Sequence, residues 1–546
     1  MSEVWFIEAV GKRKTLEAVL QNMGHDAVVY ATIGHIARHD DKSLGISLDL
    51  HEPGRKILDQ KVVDRIIELV QTADSVIVAS DADEAGDVIA CDIADVVNQH
   101  FNGPVTRVRL GGIDKLSVEV AIERAGPIDY RAAAPGRAKT IIDRLIGTTY
   151  SRPGAVVGRR QTALLAAVDR EKDVDLAARY VIVAPAKDHG DYFSIEIGPD
   201  PIVTKADLDL LLKKGIRPVQ PGDLAHIGFS ARHFGDVLVG LSDVAQKNEN
   251  PAKIADLAQS CQELYMTGRM SYPRTSARGY KPQTINRISK KLPDFGPEVV
   301  PNPNAVMAGP GDGPHDAIYP IGKVSGSVHE GLATPEGILS EVGNAAIRST
   351  HLWPGQIPDK DDLRHALIEA GLSSKTAREL ASRRWVRWDG APPPGMTKPT
   401  KSSFFNRSPD AVLLDLAIRN GIGTPSSWPE LISKSMEKLV EANGTKLQLT
   451  KAGQTSLDAA PAFLKDPEFS NKLNEWLAKT PARTDNEPWR TMAIEVMRNL
   501  PEDARNKIKQ SLIANQPKEG LTPAQMGVDI KERAFERSPT MAPRPN

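Results

Sequence analysis

Residues 74–94 read DSVIVASDADEAGDVIACDIA: an apolar run that ends at Ser80, two aspartates, Asp81 and Asp83, in the turn that follows, and then a stretch of helical pattern. In open α/β sheets ligands bind beyond the carboxyl ends of the strands, so carboxylates at such a point stand where chemistry usually sits. Two aspartates one residue apart can share a hard cation such as Mg²⁺, because alternate residues of an extended turn point the same way. Asp is also common at helix starts, where it accepts hydrogen bonds from free N–H groups. The first apolar run of the chain, within WFIEAVGKRKT (residues 5–15), also ends in an acid, Glu8, with Lys12 and Lys14 after it. If the two strands are neighbours, Glu8, Asp81 and Asp83 form one acidic cluster with a lysine at its rim, which points to metal or phosphate chemistry.

Around these two strands the pattern alternates. VWFIEAV, GKRKTLEAVLQNM, HDAVVYATIG and DRIIELVQTA follow one another as strand, helix, strand and helix, the order of an α/β layer with a largely parallel sheet, and this part is expected to end near residue 150. From Arg159, RRQTALLAAVDREKDV predicts a helix with Leu164, Leu165 and Val168 on one face. YVIVAPAKDHGDYFSIEIG predicts two strands joined by a turn. The helical AKIADLAQSCQELYMTG leads into MSYPRTSA, and a Gly/Pro/Asn-rich loop from Gly296 to Gly313 precedes HDAIYPIG. Residues 349–400, rich in Pro, Trp and charge, predict a connection carrying one small helical hairpin, followed by a helical domain from about Ser408 to Ile513 and a flexible tail.

Composition narrows the class. A chain of 546 residues implies roughly three to five domains. Hydrophobic residues at 40% and charged residues at 25% are ordinary for a globular protein. No apolar run approaches the ~18 residues that span a bilayer, and MSEVWFIEAV lacks the basic and apolar regions of a secretory signal. A cytoplasmic protein without a membrane segment is expected. Only Cys91 and Cys261 are present, too few for a disulfide framework or a four-cysteine zinc ribbon, so no zinc is expected. A net charge of −1 provides no global basic field, so nucleic-acid binding would rest on local patches. No GxxxxGK[ST] phosphate loop occurs, which disfavours ATP-driven chemistry.

The segments IEAVGKRKT, ATIGHI and SDADEAGD, in that order, resemble the Toprim domain of type IA DNA topoisomerases, whose usual forms are VESPxKAKT, ATxGHI and DxDREGE. The resemblance continues through AKTIIDRLIGTTYS, VGRRQTALLAAVDRE, LYMTGRMSYPRTSA, PHDAIYPI, NGIGTPSSWPELI and LQLTKAGQ, all in the family's order from Glu8 to about Gly453. It implies a multidomain α/β plus α fold, with a Toprim domain (1–150) and a four-domain toroidal core. That core would comprise the first part of a helical DNA-binding domain (151–178), a β-rich arch (179–228), the domain carrying the nucleophilic tyrosine (229–345), the arch return with its hairpin (346–405), the second helical part (406–513) and the tail (514–546). It implies ATP-independent cleavage of one DNA strand through a 5′-phosphotyrosyl intermediate, with strand passage and religation, in an enzyme that relaxes negatively supercoiled DNA or decatenates it.

MSYPRTSA is similar to the family's ITYMRTDS and implies Tyr272 as nucleophile, with Arg274 as the cation that helps a phenol of ordinary pKa about 10 to attack phosphorus. The resemblance implies Glu8 as acid-base partner of the leaving 3′ hydroxyl, Lys12 on the scissile phosphate, and Asp81, Asp83 and Glu8 as ligands of Mg²⁺. It implies DNA contacts from His315, Arg159, Gln161, Arg144 and His35. Asp143 and Arg144 equally suit a structural ion pair. Single-stranded segments of DNA are the implied substrate, and a helicase or single-strand-binding protein is a conceivable partner.

The chain also departs from the family pattern. Ala85 stands where the third acid of DxDREGE is expected and Glu84 where its arginine is, which leaves open whether Glu84 or Asp87 takes over. Asp316 and Tyr319 replace a usual Glu and Arg, and Thr424 replaces an Arg. The alternative is a DNA-binding relative of weakened catalysis, acting in plasmid or phage DNA processing. GLSSKTARELASRRWVRWDG sets Arg383, Arg384 and Arg387 among Trp385 and Trp388, a pattern that suits base stacking but better suits a hairpin closing its own core.

Overall fold

A computed structural model describes residues 2–39, 43–53, 55–188, 190–247, 249–290, 298–307, 315–321, 334–387, 400–480 and 487–516. The expected tail lies, from residue 517 on, outside the described residues, as do Trp388 and both ends of the loop from Gly296 to Gly313.

The first apolar run forms the strand Glu3–Ile7, which pairs in parallel with Ala27–Ala31 on one side and with Ser75–Val78 on the other; Val105–Arg107 completes a four-stranded sheet. Strands this continuously apolar need cover on both faces, and they have it. Val4 and Phe6 pack with Ile66, Ile89 and Ile93, while Trp5 and Ile7 pack with Leu16, Leu20 and Val118. The helices Arg13–Asn22, Gln60–Val70, Glu84–Val97 and Lys115–Glu123 supply that cover.

Leu164, Leu165 and Val168 do share one face of the helix Arg159–Arg170, and all are fully buried in a core with Phe234, Leu238 and Leu413. The long helix Tyr130–Tyr150 buries Ile141, Ile142 and Leu145 against Leu473, Trp489 and Val496. The two strands expected after the helix Arg159–Arg170 are Ala178–Pro185 and Tyr192–Ile197, antiparallel, with Ser403–Asn406 returning to pair with the first.

The stretch 349–400 holds more than a hairpin. His351–Pro358 is the middle strand of a second three-stranded sheet, between Val300–Pro301 and Pro221–Ile227. Prolines argue against a central strand because they cannot donate to the ladder. Here Val300–Pro301 pairs only with His351 and Leu352, so Pro354 lies past the end of that neighbour. The hairpin itself is Lys360–Glu369 and Ser374–Ser382, closed by Trp385, whose indole N–H donates to Leu380 O at 2.9 Å. Arg383 pairs with Asp200 and Arg387 with Asp188, so these arginines tie the fold together. Cys91 and Cys261 are buried, free thiols. No helix of the described residues is long and apolar enough to cross a membrane.

Gly86 sits in the first turn of Glu84–Val97, where an added Cβ would collide with the carbonyl of Asp81. Gly86→Ala is expected to destabilise the protein by about 1–3 kcal/mol, read as a lowered urea midpoint, by pushing the turn that carries Asp81 and Asp83 away from the helix. An unchanged midpoint would show that the turn yields freely.

Candidate active site

Glu8 follows the strand Glu3–Ile7 and Asp81 lies just beyond Ser75–Val78; parallel pairing of these neighbours puts both acids at one edge of the sheet. Lys12 lies between them with no exposure. Its ammonium is 3.4 Å from Glu8 Oε1 and also pairs with Asp81 Oδ1. Tyr265, at the end of the helix Ile254–Met266, donates its hydroxyl to Asp81 at 3.0 Å, and its ring centroid is 4.7 Å from the same ammonium.

Asp83 has different partners. One carboxylate oxygen caps Glu84–Val97 by accepting from Gly86 N–H at 2.7 Å, and the other accepts the hydroxyl of Tyr272 at 2.6 Å. Tyr272 is buried, stacked on His315 with ring centroids 4.3 Å apart, and edge-on to Tyr265 at 5.4 Å. Its backbone N–H donates to Gly111 O, and His315 Nε2 donates to Ala82 O at 2.9 Å. The segment around Tyr319 lies alongside, with Ser271 N–H donating to Tyr319 O at 3.0 Å. Arg274 is exposed.

Charges in this pocket sort themselves by burial and partner. Burial, then the negative charge of Asp81, pushes Glu8 up from 4.5 to about 8. Burial works the same way on Asp81, but the Lys12 ammonium and the hydrogen bonds from Glu8, Lys12 and Tyr265 outweigh it and bring Asp81 down to about 2. Burial opposes the charge of Lys12, yet Asp81 and Glu8 hold it above its ordinary value. Burial, then Asp83 and Asp81, drives the Tyr272 phenol well above its ordinary value, with the Arg274 charge opposing. At neutral pH the site therefore holds a protonated Glu8, an ionised Asp81 against Lys12, and a neutral phenol that donates to Asp83.

The residues expected as a three-acid cation site do not assemble as one. Glu8, Asp81 and Asp83 are hard oxygen donors of the kind Mg²⁺ takes. However, the Lys12 ammonium sits between the first two, and the third is taken up by Tyr272 and the helix cap. Among the described residues no group of three or more His, Cys, Asp or Glu side chains is arranged to hold an ion. The acid missing at Ala85 is not replaced either: Ala85 is exposed, Glu84 pairs with Lys139 at 2.7 Å, and Asp87 pairs with Arg107 and Arg109 at 3.2 and 3.0 Å.

Arg107 is a residue that the sequence reading missed. Its buried guanidinium donates to the carbonyls of Val78, Ser80, Asp81 and Val108, fixing the turn that carries the aspartates. In RVRL it reads as an ordinary strand residue. Tyr265 stood within a quoted motif, and its only signal was its place in the helix running into MSYPRT.

The expected DNA contacts are mostly engaged within the chain. Arg159 is buried and forks onto both carboxylate oxygens of Asp143, at 2.8 and 3.0 Å, so the Asp143 partner is Arg159 and not Arg144. Arg144 donates instead to the carbonyls of Ser43 and Leu44. Gln161 donates to Ser435 Oγ at 2.8 Å. His315 is buried and faces the Ala82 carbonyl, and burial lowers its pKa. His35 is exposed, in a turn where Ile33 and Gly34 have positive φ and Gly34 N–H donates to Glu8 O at 2.7 Å. Arg159, Arg144 and Gln161 would have to break these bonds to reach a DNA strand.

The Toprim family model matches residues 3–111. Residues 3–111 are a Toprim domain. The Toprim domain thus supplies Glu8, Lys12, Asp81 and Asp83, and Tyr265, Tyr272 and His315 come to it from outside. Along the sequence the chain is similar to DNA topoisomerase 1 of Thermotoga maritima, 28% identical over 179 residues, which are 31% of this chain and 27% of that protein. It is similar to DNA topoisomerase 1 of Mycoplasma pneumoniae, 24% identical over 326 residues, which are 52% of this chain and 45% of that protein. The chain thus spans less than half the length of these curated relatives. In fold it resembles full-length topoisomerase I from Thermotoga maritima, with a TM-score of 0.58 and 17% identity over 95% of this chain and 91% of that one. The fold is therefore the multidomain fold of topoisomerase I, with its Toprim domain at the N-terminus.

Glu8 is protonated in the fold and ionised in the unfolded chain between pH 4.5 and about 8, so folding takes up a proton there. The contribution of Glu8 to stability is fully present below this window and is lost as pH rises through it. Glu8→Gln cannot ionise and should flatten the slope. Thermal unfolding at the two ends of the window is expected to show the wild-type Tm falling further than the variant's; equal falls would mean that the proton is taken up elsewhere.

Proposed function

We propose that this chain is a type IA DNA topoisomerase that cleaves one strand of DNA with Tyr272, without ATP, and reseals it after another strand has passed. The observation that carries this reading is the 2.6 Å hydrogen bond from the Tyr272 hydroxyl to Asp83, beside the Lys12–Asp81–Glu8 cluster. A buried phenol aimed at a carboxylate has an acceptor for its proton within reach.

On this reading a single-stranded segment enters and its scissile phosphate comes to lie between Tyr272 and Lys12. The phenol proton passes to Asp83 as the phenolic oxygen attacks phosphorus. The bond from phosphorus to the 3′ oxygen breaks as the new bond to tyrosine forms. Glu8, protonated at neutral pH because its pKa is raised to about 8, gives its proton to the departing 3′ oxygen. Lys12 and Arg274 stabilise charge on the phosphoryl oxygens. The tyrosyl phosphodiester keeps the energy of the broken bond, so the reverse attack by the 3′ hydroxyl reseals the strand with no nucleotide. The absence of a GxxxxGK[ST] loop agrees with that. Mg²⁺ is the proposed cofactor on the strength of the Toprim domain alone, since Lys12 and Tyr272 engage the three acids that would hold it.

The unreplaced acid at Ala85 favours a second reading, a single-stranded-DNA-binding relative with weakened strand transfer. Incubation with negatively supercoiled plasmid and Mg²⁺, without ATP, followed by denaturation separates the two. Relaxed topoisomers and a protein linked to a 5′ DNA end are expected from wild type, and Tyr272→Phe should lose both, by more than about a thousandfold if the nucleophile is removed. Binding without either product, regained in Ala85→Glu, would establish the weakened relative.

A further inference from the structure

A cavity of about 950 Å³ opens directly beside Tyr272, between the helix Lys115–Glu123, which follows the Toprim domain, and the helix Pro282–Ser289. Tyr272, His315 and Tyr319 line it, and none of Glu8, Lys12 or Asp81 does. It is built for an amphipathic anion. Leu116, Val120 and Met307 give it apolar wall, and Arg109, Arg124, Lys281 and Arg287 give it cations. Its acids are Glu123 and Asp316, and the Asp316 carboxylate is committed to Lys281 N–H at 2.5 Å and the Thr284 hydroxyl at 3.0 Å. Arg287 lies 5.9 Å from the Tyr319 ring centroid and pairs at 3.1 Å with Asp114, just before the helix Lys115–Glu123, while Arg124 is exposed and makes no ion pair among the described residues.

We propose that this cavity receives the nucleotide that follows the cut, the one left joined to Tyr272 through its 5′ phosphate. The inference rests on the strand-transfer reading above. A nucleotide combines a flat, largely apolar base with an anionic phosphate. The cavity offers aromatic and apolar surface for the first and guanidinium forks for the second. Its volume falls in the range of about 300–1,000 Å³ usual for small-ligand pockets. The direction of the strand follows from the residues that do not line it. The departing 3′ oxygen belongs with Glu8 and Lys12, so the chain before the cut leads to their side, and the chain after it leads to the side of Tyr319. Tyr319 stands where the family resemblance implies an arginine, so on that wall this chain offers a ring where its relatives offer a charge. A nucleotide held here touches the helix Lys115–Glu123 and the helix Pro282–Ser289 at once, and so favours the arrangement in which the two are together.

The test uses the full chain carrying Tyr272→Phe and two oligonucleotides, one whose 3′ end is the cut position mapped with wild type and one with three further nucleotides. Anisotropy at fixed salt is expected to show the extension tightening binding by about tenfold. Arg124→Ala and Arg287→Ala together should remove most of that gain, the loss being confined to the longer oligonucleotide. Arg124→Ala alone, which leaves the Arg287–Asp114 pair intact, should move in the same direction. An equal gain from the extension in both proteins would overturn the cavity's role and leave strand transfer standing. A wild-type chain that yields no cut to map would overturn both.

Discussion

A lysine ammonium with no access to water sits between two carboxylates that neighbouring parallel strands deliver to the same edge. An unpaired buried charge is costly enough that removing one partner of such a pair typically destabilises a protein by several kcal/mol. The requirement to keep Lys12 paired therefore constrains its surroundings. It holds Glu8, whose burial already favours its proton, close enough to Asp81 for the neighbouring charge to favour it further. It also leaves Asp81 electron-rich enough to draw the Tyr265 hydroxyl from a helix outside the Toprim domain. Asp83 then receives Tyr272. The tyrosine segment docks on the sheet edge through acids whose spacing the lysine sets.

On the proposed strand-transfer reading, this arrangement is a resting one. Burial and two nearby aspartates favour the neutral phenol, and the Lys12 charge faces the carboxylates, away from any phosphate. A strand entering between Tyr272 and Lys12 changes both, because a phosphodiester offers the lysine a second anion and sets phosphorus before a phenol whose proton Asp83 still accepts. Substrate and resting contacts then compete for the same cation, and the energy of binding is partly used to rearrange the site.

Much of this was legible in the sequence, for definable reasons. The parallel sheet followed from continuous apolar runs alternating with helical ones, and the face of Leu164, Leu165 and Val168 followed from periodicity. Glu8, Asp81 and Asp83 were readable because strand ends are where such folds carry chemistry. What was not legible depends on partners distant in the chain. Whether Asp81 faces a lysine or a cation is decided by where the Lys12 side chain goes. Asp143 joins Arg159, sixteen residues on, and not its neighbour Arg144, because consecutive helical residues point in different directions. His351–Pro358 looked like a connection since its prolines argue against a strand, and only the shortness of Val300–Pro301 makes Pro354 tolerable. Arg107 holds the turn that carries Asp81 and Asp83 through backbone carbonyls, which carry no sequence signature.

The contacts that join the tyrosine segment to the Toprim domain are, around the site, chiefly polar: a hydroxyl on Asp83, another on Asp81, an imidazole on the Ala82 carbonyl and a backbone N–H on Gly111. Each of these groups can turn to water when the two surfaces part, so separation leaves few polar groups stranded without a partner. A joint of this kind takes its strength from the match of donor to acceptor rather than from area, so its hold answers to whatever else in solution can donate or accept.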